Sequence, residues 1–387
     1  MKRVGLIDNL SHIVEFREDR FHEASAAELM AATGGNTGNV AFVHGVRKIL
    51  SNPLSRVGWG WDPAIVRERF DHLVVCCANQ LGAHADLGGW SDRVELFGLP
   101  ITLIGLGAQS ENKQTFPKIP DGTRRFLSAV KNHATDGCSN IAVRGDFTHS
   151  FLESMSIDSS PYGCPSLLIS KVRNLGAAIL QRQASAAVSK VIVAAGNPWH
   201  GESAGLERLL VEIVEEYDGE YVLQHPESMI QFAFGESDLI SEKSMSRFLD
   251  VYGERFDSRG LLDWYRRKSS VFADAPTWMR FLKRADLVLG PRYHGVALGI
   301  QAGIPGTVVT IDSRTDELCE GTGIKAVALA DAMTMSSGQL VDSCLWDQDD
   351  AVRFDVNRKL RVQQYIDFLR RNGLSPSQHL QDLSLST

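Results

Sequence analysis

Arg292 and His294 stand two positions apart, directly before Gly295, in a stretch that reads D-L-V-L-G-P-R-Y-H-G from Asp286. Arginine offers a rigid fork of donors for carboxylate or phosphate and keeps its charge. Histidine titrates near neutrality and moves protons. Together they suit an anionic substrate that must also exchange a proton. Their setting strengthens this. Leu287, Val288 and Leu289 make an apolar run long enough for a buried strand, Gly290 and Pro291 end it, and Val296 to Gln301 continues as a helix. A strand handing over to a helix places the residues between them at the carboxyl edge of a sheet, where open α/β folds bind ligands. The helix start at Gly295 adds free N–H groups and a partial positive charge.

Other chemistry-bearing residues occupy similar places. Arg144 follows a short strand from Ile141 to Val143, with Asp146 placed to cap the helix after it. Gln109 ends the run Ile104-Gly105-Leu106-Gly107-Ala108-Gln109. That run is no dinucleotide fingerprint, because Ser110 fills the third glycine slot and no helix pattern follows. Asn36 and Asn39 lie in the glycine-rich turn Gly34 to Asn39, which opens a helix bearing Val40, Val43, Val46 and Leu50 on one face. Such a turn either cradles an anion or is a tight turn with an asparagine cap. His200, His225 and Arg314 follow strands of the second half, and Asp312 either lines the same cleft or satisfies its own turn.

Several residues invite a reading that the sequence resists. Cys164 has a proline neighbour and no histidine near it in sequence, so it reads as a structural thiol rather than a nucleophile. Trp59 and Trp61 flank Gly60 and read as loop anchors before they read as a sugar platform. His84 and Asp86 are too sparse for a metal site.

The elements that must position these groups form two βα-rich halves. The expected architecture is α/β: a domain over residues 1–172, a linker helix over 173–188, a second domain over 189–348, a closing helix over 349–373 and a flexible tail over 374–387. Two sheets with facing carboxyl edges leave a cleft between them. Thr307 to Ile311 reads as the last strand. The closing helix is expected to bury Val352, Val356, Leu360, Ile366 and Leu369, and the chain after Ser375 is expected to fray.

Composition narrows the function classes. The 387 residues carry a formal charge of −7, which argues against a nucleic-acid binder working by broad electrostatics. No apolar run approaches the ~20 residues that cross a bilayer. Six cysteines without C-x-x-C spacing point to reduced thiols and a cytoplasmic home.

The motifs, taken in order, resemble the polysaccharide pyruvyl transferase family. Gly35-Asn36-Thr37-Gly38-Asn39 resembles its early G-N-x-G-D turn, with asparagine replacing aspartate. Ile104 to Gln109 resembles its central glycine-rich strand end. Val143-Arg144-Gly145-Asp146 with Phe151-Leu152 resembles its V-R-D/E segment, with Gly145 inserted. Gly163-Cys164-Pro165-Ser166-Leu167-Leu168 resembles its G-D/C-P-x-L segment. Ala285 to Gly295 resembles its A-D-x-V-x-x-x-R-x-H-G signature, completed by Ile304-Pro305 and Asp312. The resemblance implies two Rossmann-like domains arranged as in GT-B glycosyltransferases. It also implies transfer of a carboxyethylidene group from phosphoenolpyruvate to a sugar of a cell-surface glycan or its precursor. That chemistry needs no metal or other cofactor. A lipid-linked acceptor would bring the protein to the inner membrane face. On this reading Arg292 and Arg144 clamp the donor. His294 either moves the proton or only donates to phosphate. Gly295, Asn36, Asn39, Gln109, His200, His225 and Arg314 contact substrate. Two rivals stay open: a nucleotide-sugar glycosyltransferase, and a catalytically silent glycan-binding protein of the same fold.

Overall fold

The computed structural model describes residues 1–10, 23–110, 113–135, 137–199 and 201–385. Its frame is two parallel six-stranded sheets. The first contains β1 (Val4–Ile7), β2 (Leu54–Arg56), β3 (His72–Cys76), β4 (Ile101–Leu106), β5 (Ile141–Val143) and β6 (Ser160–Pro161), in the order β2-β1-β3-β4-β5-β6. The second contains β7 (Val191–Ala194), β8 (Glu220–Leu223), β9 (Ser269–Val271), β10 (Leu287–Gly290), β11 (Gly306–Thr310) and β12 (Ala326–Ala328), in the order β12-β11-β10-β7-β8-β9. Helices cover both faces, so the central strands are apolar without alternation: β3, β4, β7 and β10 are buried along their whole length. These are two Rossmann-like domains. The strand order reverses between β1 and β3 in the first and between β7 and β10 in the second, and crevices form beyond the carboxyl ends at such reversals.

The chain then returns to its first domain. Helix Gln348–Arg371 packs on helix Leu175–Gln183 and sends side chains to the earlier loops. Tyr365 donates its hydroxyl to the Gly163 carbonyl at 2.8 Å, and Asn372 donates to Ser139 at 3.0 Å. Arg358, almost wholly buried, donates to the carbonyls of Leu167, Ser170, Val172 and Arg173. Removing it would strand several buried acceptors, each costing roughly 1–3 kcal/mol. Arg358→Ala is therefore expected to lower stability by about 3 kcal/mol or more, read as a clear drop in thermal midpoint.

Several expectations are corrected here. Thr307 to Ile311 is not the last strand, since β12 follows it. The closing helix does not bury Val352, Val356 and Leu360, which are 50%, 62% and 49% exposed. Its inward stripe is Ala351, Phe354, Arg358, Val362, Tyr365 and Leu369. A count of apolar residues skips Arg358 and so settles on the wrong face. The tail after Ser375 does not fray: Gln378–Ser384 is a helix that buries Leu380 and Leu383, and its cap residue Ser377 donates to the Lys48 carbonyl at 2.6 Å. Asp146 is the first helical residue rather than the cap; Gly145 holds the cap position with no side-chain bond.

Candidate active site

The carboxyl edges of the two sheets meet, and the segments leaving the strands bond across the gap. Thr37 N–H donates to the Gln224 carbonyl at 3.2 Å, and Ser313 Oγ to the Ser110 carbonyl at 2.6 Å. Glu317 accepts from Thr148 N–H at 2.7 Å and Oγ1 at 2.9 Å. Arg314 Nη1 donates to Gln109 Oε1 at 3.2 Å.

Glycines make this closeness possible. A Cβ at Gly107 would lie 2.8 Å from Arg144 Cδ, so the glycine-rich end of β4 is bare in order to admit an arginine. Gly105, at φ +85°, turns its carbonyl to accept from Arg144 Nε at 2.9 Å. A Cβ at Gly145 would meet Glu317 Cγ at 2.5 Å, so the inserted glycine makes room for a carboxylate from the other domain. Gly38 approaches Gln224 with no space for a side chain.

His294 starts helix Tyr293–Gln301 at this junction. Its ring packs against Phe42 of the first domain at 5.6 Å. Its Nε2 lies 3.6 Å from Cys164 Sγ, which also accepts from Ser166 Oγ at 3.1 Å. Burial, and then the Arg144 charge, push the imidazole down to about 3, so the ring is neutral at any ordinary pH. Burial pushes the Cys164 thiol up, and Arg144 opposes this without reversing it. The pair is a neutral thiol and a neutral imidazole, not an activated nucleophile. The thiol reading stands, but the supposed lack of a histidine partner does not. His294 lies 130 residues away in sequence and directly opposite in space.

Two buried arginines and the half-buried Arg292 use their donors differently. Arg358 spends its fork on backbone carbonyls. Arg144 spends Nε on Gly105 and Nη1 on Asn79 Oδ1. Arg292 is barely committed. Its Nη2 has long contacts of 3.4 Å to the Gly196 carbonyl, 3.4 Å to His225 Nδ1 and 3.5 Å to the His225 carbonyl, and its buried Nε has no partner. Gly196 follows β7 and Arg292 follows β10, so this guanidinium spans the strand-order reversal of the second sheet. Arg314 lies within electrostatic reach of both Arg144 and Arg292, with Asp312 held against it by a salt bridge. Arg144 acts on His294, and Arg314 acts on both Arg144 and Arg292, so three positive charges from two domains gather at this junction.

A cleft of about 920 Å³ opens at Arg314, and Arg144, Arg292 and His294 do not line it. Gln109, Asp312, His84, Phe116 and Lys118 line it with Arg314. The Phe116 ring is 44% exposed and held from behind by Phe147 at 5.7 Å and Phe151 at 5.5 Å.

Two expected contact residues have other work. Asn39 donates Nδ2 to the Thr33 carbonyl at 2.8 Å and lies buried in its turn. An aspartate could not make that donation, which explains the asparagine. Gly295 was expected to offer a free N–H, but that group donates to the Arg292 carbonyl at 3.1 Å. Its value is steric, since a Cβ there would meet Ala194 Cβ at 2.7 Å. Asn36 accepts from Gly38 N–H at 2.8 Å and flanks His294. His225 backs Arg292, and His200 lies outside the described residues. Trp59 is a loop anchor, stacked on Trp90 at 4.9 Å. Among the described residues no group of three or more His, Cys, Asp or Glu side chains gathers to hold a metal ion, and no helix is long and apolar enough to cross a membrane.

A family model described as polysaccharide pyruvyl transferase matches residues 36–313. The chain belongs to the polysaccharide pyruvyl transferase family. The match takes in every residue of the junction up to Ser313; Arg314, Glu317 and the closing helix lie beyond it. Comparison with the curated proteins gives no match. Among solved structures, this pyruvyl transferase family member is similar to Staphylococcus aureus MnaA with UDP, at 11% identity, TM-score 0.44 and 97% and 99% coverage of the two chains. It is also similar to a UDP-N-acetylglucosamine 2-epimerase from Listeria monocytogenes, at 10% identity, TM-score 0.43 and 96% and 98% coverage. Anabaena HepE in complex with UDP and glucose aligns at 11% identity, TM-score 0.41 and 96% and 98% coverage.

Proposed function

We propose that this family member moves a carboxyethylidene group from phosphoenolpyruvate to two hydroxyls of one sugar, forming a pyruvate ketal and releasing inorganic phosphate. The observation that carries this reading is the uncommitted Arg292 fork, two residues from neutral His294, with Arg314 in electrostatic reach of both it and Arg144 of the other domain. Phosphoenolpyruvate bears a carboxylate and a phosphate on one enol carbon, and two guanidinium groups match two anionic groups. The bound anion raises the His294 pKa, so the ring takes up the proton that it gives to the methylene carbon. One sugar hydroxyl then attacks the electron-poor central carbon and returns a proton to the imidazole. The second hydroxyl closes the ring as the carbon–oxygen bond to phosphate breaks, and its proton leaves on the phosphate.

The adjoining cleft suits the acceptor. An exposed aromatic face stacks on a sugar ring, and Gln109 with the Asp312–Arg314 pair offers donors and acceptors to hydroxyls. Phe116→Ala is expected to raise the acceptor KM about tenfold with the phosphoenolpyruvate KM unchanged, since one stacked ring is worth ~1 kcal/mol or somewhat more.

The deciding test is incubation with phosphoenolpyruvate and candidate lipid-linked sugars, followed by mass spectrometry for an added three-carbon unit and phosphate release. Thermal shift gives an independent check. Phosphoenolpyruvate is expected to raise the melting temperature and uridine or guanosine diphosphate sugars are not. The reverse pattern would favour a nucleotide-sugar glycosyltransferase. We place the protein in the cytoplasm, meeting a lipid-linked acceptor at the inner membrane face.

A further inference from the structure

Behind Arg292 lies a carboxylate that does not line the cleft. Glu207, on helix Ala204–Glu216, has no solvent exposure. Its Oε2 accepts from the Tyr221 hydroxyl. Its Oε1 makes no well-formed hydrogen bond and is wedged beside Gly196, whose backbone N–H favours its ionised form and where any Cβ would overlap it. Gly196 is also the residue whose carbonyl faces Arg292 Nη2. The acid therefore sits directly under the loop after β7 whose carbonyl faces the clamp.

The groups facing Glu207 can be named element by element. Tyr221 comes from β8, Tyr252 from helix Glu242–Tyr252 and Tyr265 from helix Ser258–Lys268, with both Tyr221 and Tyr265 3.4 Å from the Tyr252 hydroxyl. Burial pushes all three phenols up, so they stay neutral. Arg292 is the cation that faces it from the loop after β10, and Asp312, Arg314 and His225 act on that guanidinium in turn. Burial pushes the Glu207 carboxyl up to about 7, while the Tyr221 bond, then Arg292 and then the Gly196 N–H pull it back. Arg292 is the one cation among these influences, so the balance of the acid depends on that charge.

We propose that Glu207 takes up a proton when phosphoenolpyruvate binds Arg292, making donor affinity depend on pH through a residue outside the substrate cleft. Before binding, Arg292 favours the ionised carboxylate. A bound anion cancels that attraction and adds repulsion, and the buried carboxylate protonates. By reciprocity, a protonated Glu207 binds the anion better. Donor affinity falls as pH rises through the carboxyl's titration. Glu207 is a positioning residue, acting through Arg292. This inference rests on the phosphoenolpyruvate reading.

The test is titration calorimetry of the full chain with phosphoenolpyruvate at pH 7.5, in Hepes and in Tris, whose different ionisation heats count the protons taken up. Glu207→Gln is expected to keep binding but take up fewer protons than wild type, by up to one. Tyr221→Phe is a second variant that removes the bond favouring the ionised form, and it is expected to move the uptake maximum to higher pH. An unchanged proton count in Glu207→Gln, or an unshifted maximum in Tyr221→Phe, would overturn the inference. His294 contributes equally to all three proteins and cancels in the comparison. Absence of phosphoenolpyruvate binding by wild type would instead overturn the functional reading and is distinguishable at once.

Discussion

Arg292→Ala is expected to lower kcat/KM for phosphoenolpyruvate by about 10²–10⁴-fold. A hydrogen bond to a charged group is worth roughly 1.5–3 kcal/mol, and a fork engaged at two positions supplies two of them. Folding should scarcely notice. The contacts of Arg292 to Gly196 and His225 are 3.4 to 3.5 Å long and its Nε is unpartnered, so little native bonding is lost. Loss of the cation also leaves Glu207 free to become neutral, which avoids stranding a buried charge. Arg292→Lys should restore only a small part of the activity, because a point charge does not reproduce a planar fork. The measurements are steady-state kinetics at fixed acceptor and thermal unfolding of each variant. Wild-type kinetics in Arg292→Ala would remove the clamp from the mechanism, and a collapse of stability would make it a structural arginine like Arg358.

The second large effect belongs to His294. His294→Asn should reduce kcat by about 10²–10⁴-fold, the range for loss of a positioned proton carrier, while phosphoenolpyruvate still stabilises the variant against heat. Intact kcat with weakened donor binding would leave the imidazole as a phosphate ligand and assign the proton elsewhere. The same residue predicts a pH effect on stability. Its folded pKa is depressed to about 3 against an ordinary value of 6.5. Between those values the unfolded chain holds more protons than the folded one. The stabilising contribution is complete above pH 6.5 and is lost as pH falls toward 3. Unfolding midpoints of wild type are therefore expected to fall more steeply below pH 6.5 than those of His294→Asn. Equal slopes would contradict a neutral buried imidazole.

What the sequence made legible was local. The run Leu287 to His294 carries strand, break and helix start within a few residues, and periodicity alone locates the candidate arginine and histidine at a sheet edge. The same holds for Arg144 after β5. What it hid was distant or masked by patterning. Cys164 and His294 touch across the domains, and nothing in either neighbourhood announces the other. Glu207 and Arg358 each lie among inward-facing apolar residues, so an apolar count absorbs them. A charge on an inward stripe was the available signal, because such residues are almost never fully buried without a partner or a task. Gly145 and Asn39 stood out as departures from the family pattern. Their cause lay in a carboxylate from the other domain and in a pair of turn carbonyls, which only coordinates reveal.

The return of the chain to its starting point has a consequence for how the protein is made. Ser375 N–H donates to Asn52 Oδ1 at 2.7 Å, Ser377 holds Lys48, and His379 Nε2 lies 2.6 Å from the Leu168 carbonyl. The first domain thus receives an outer wall from residues synthesised after the whole second domain. On the ribosome that domain waits, incompletely sealed, until Ser384 has emerged, and a premature stop before Leu374 would injure a domain synthesised about 200 residues earlier.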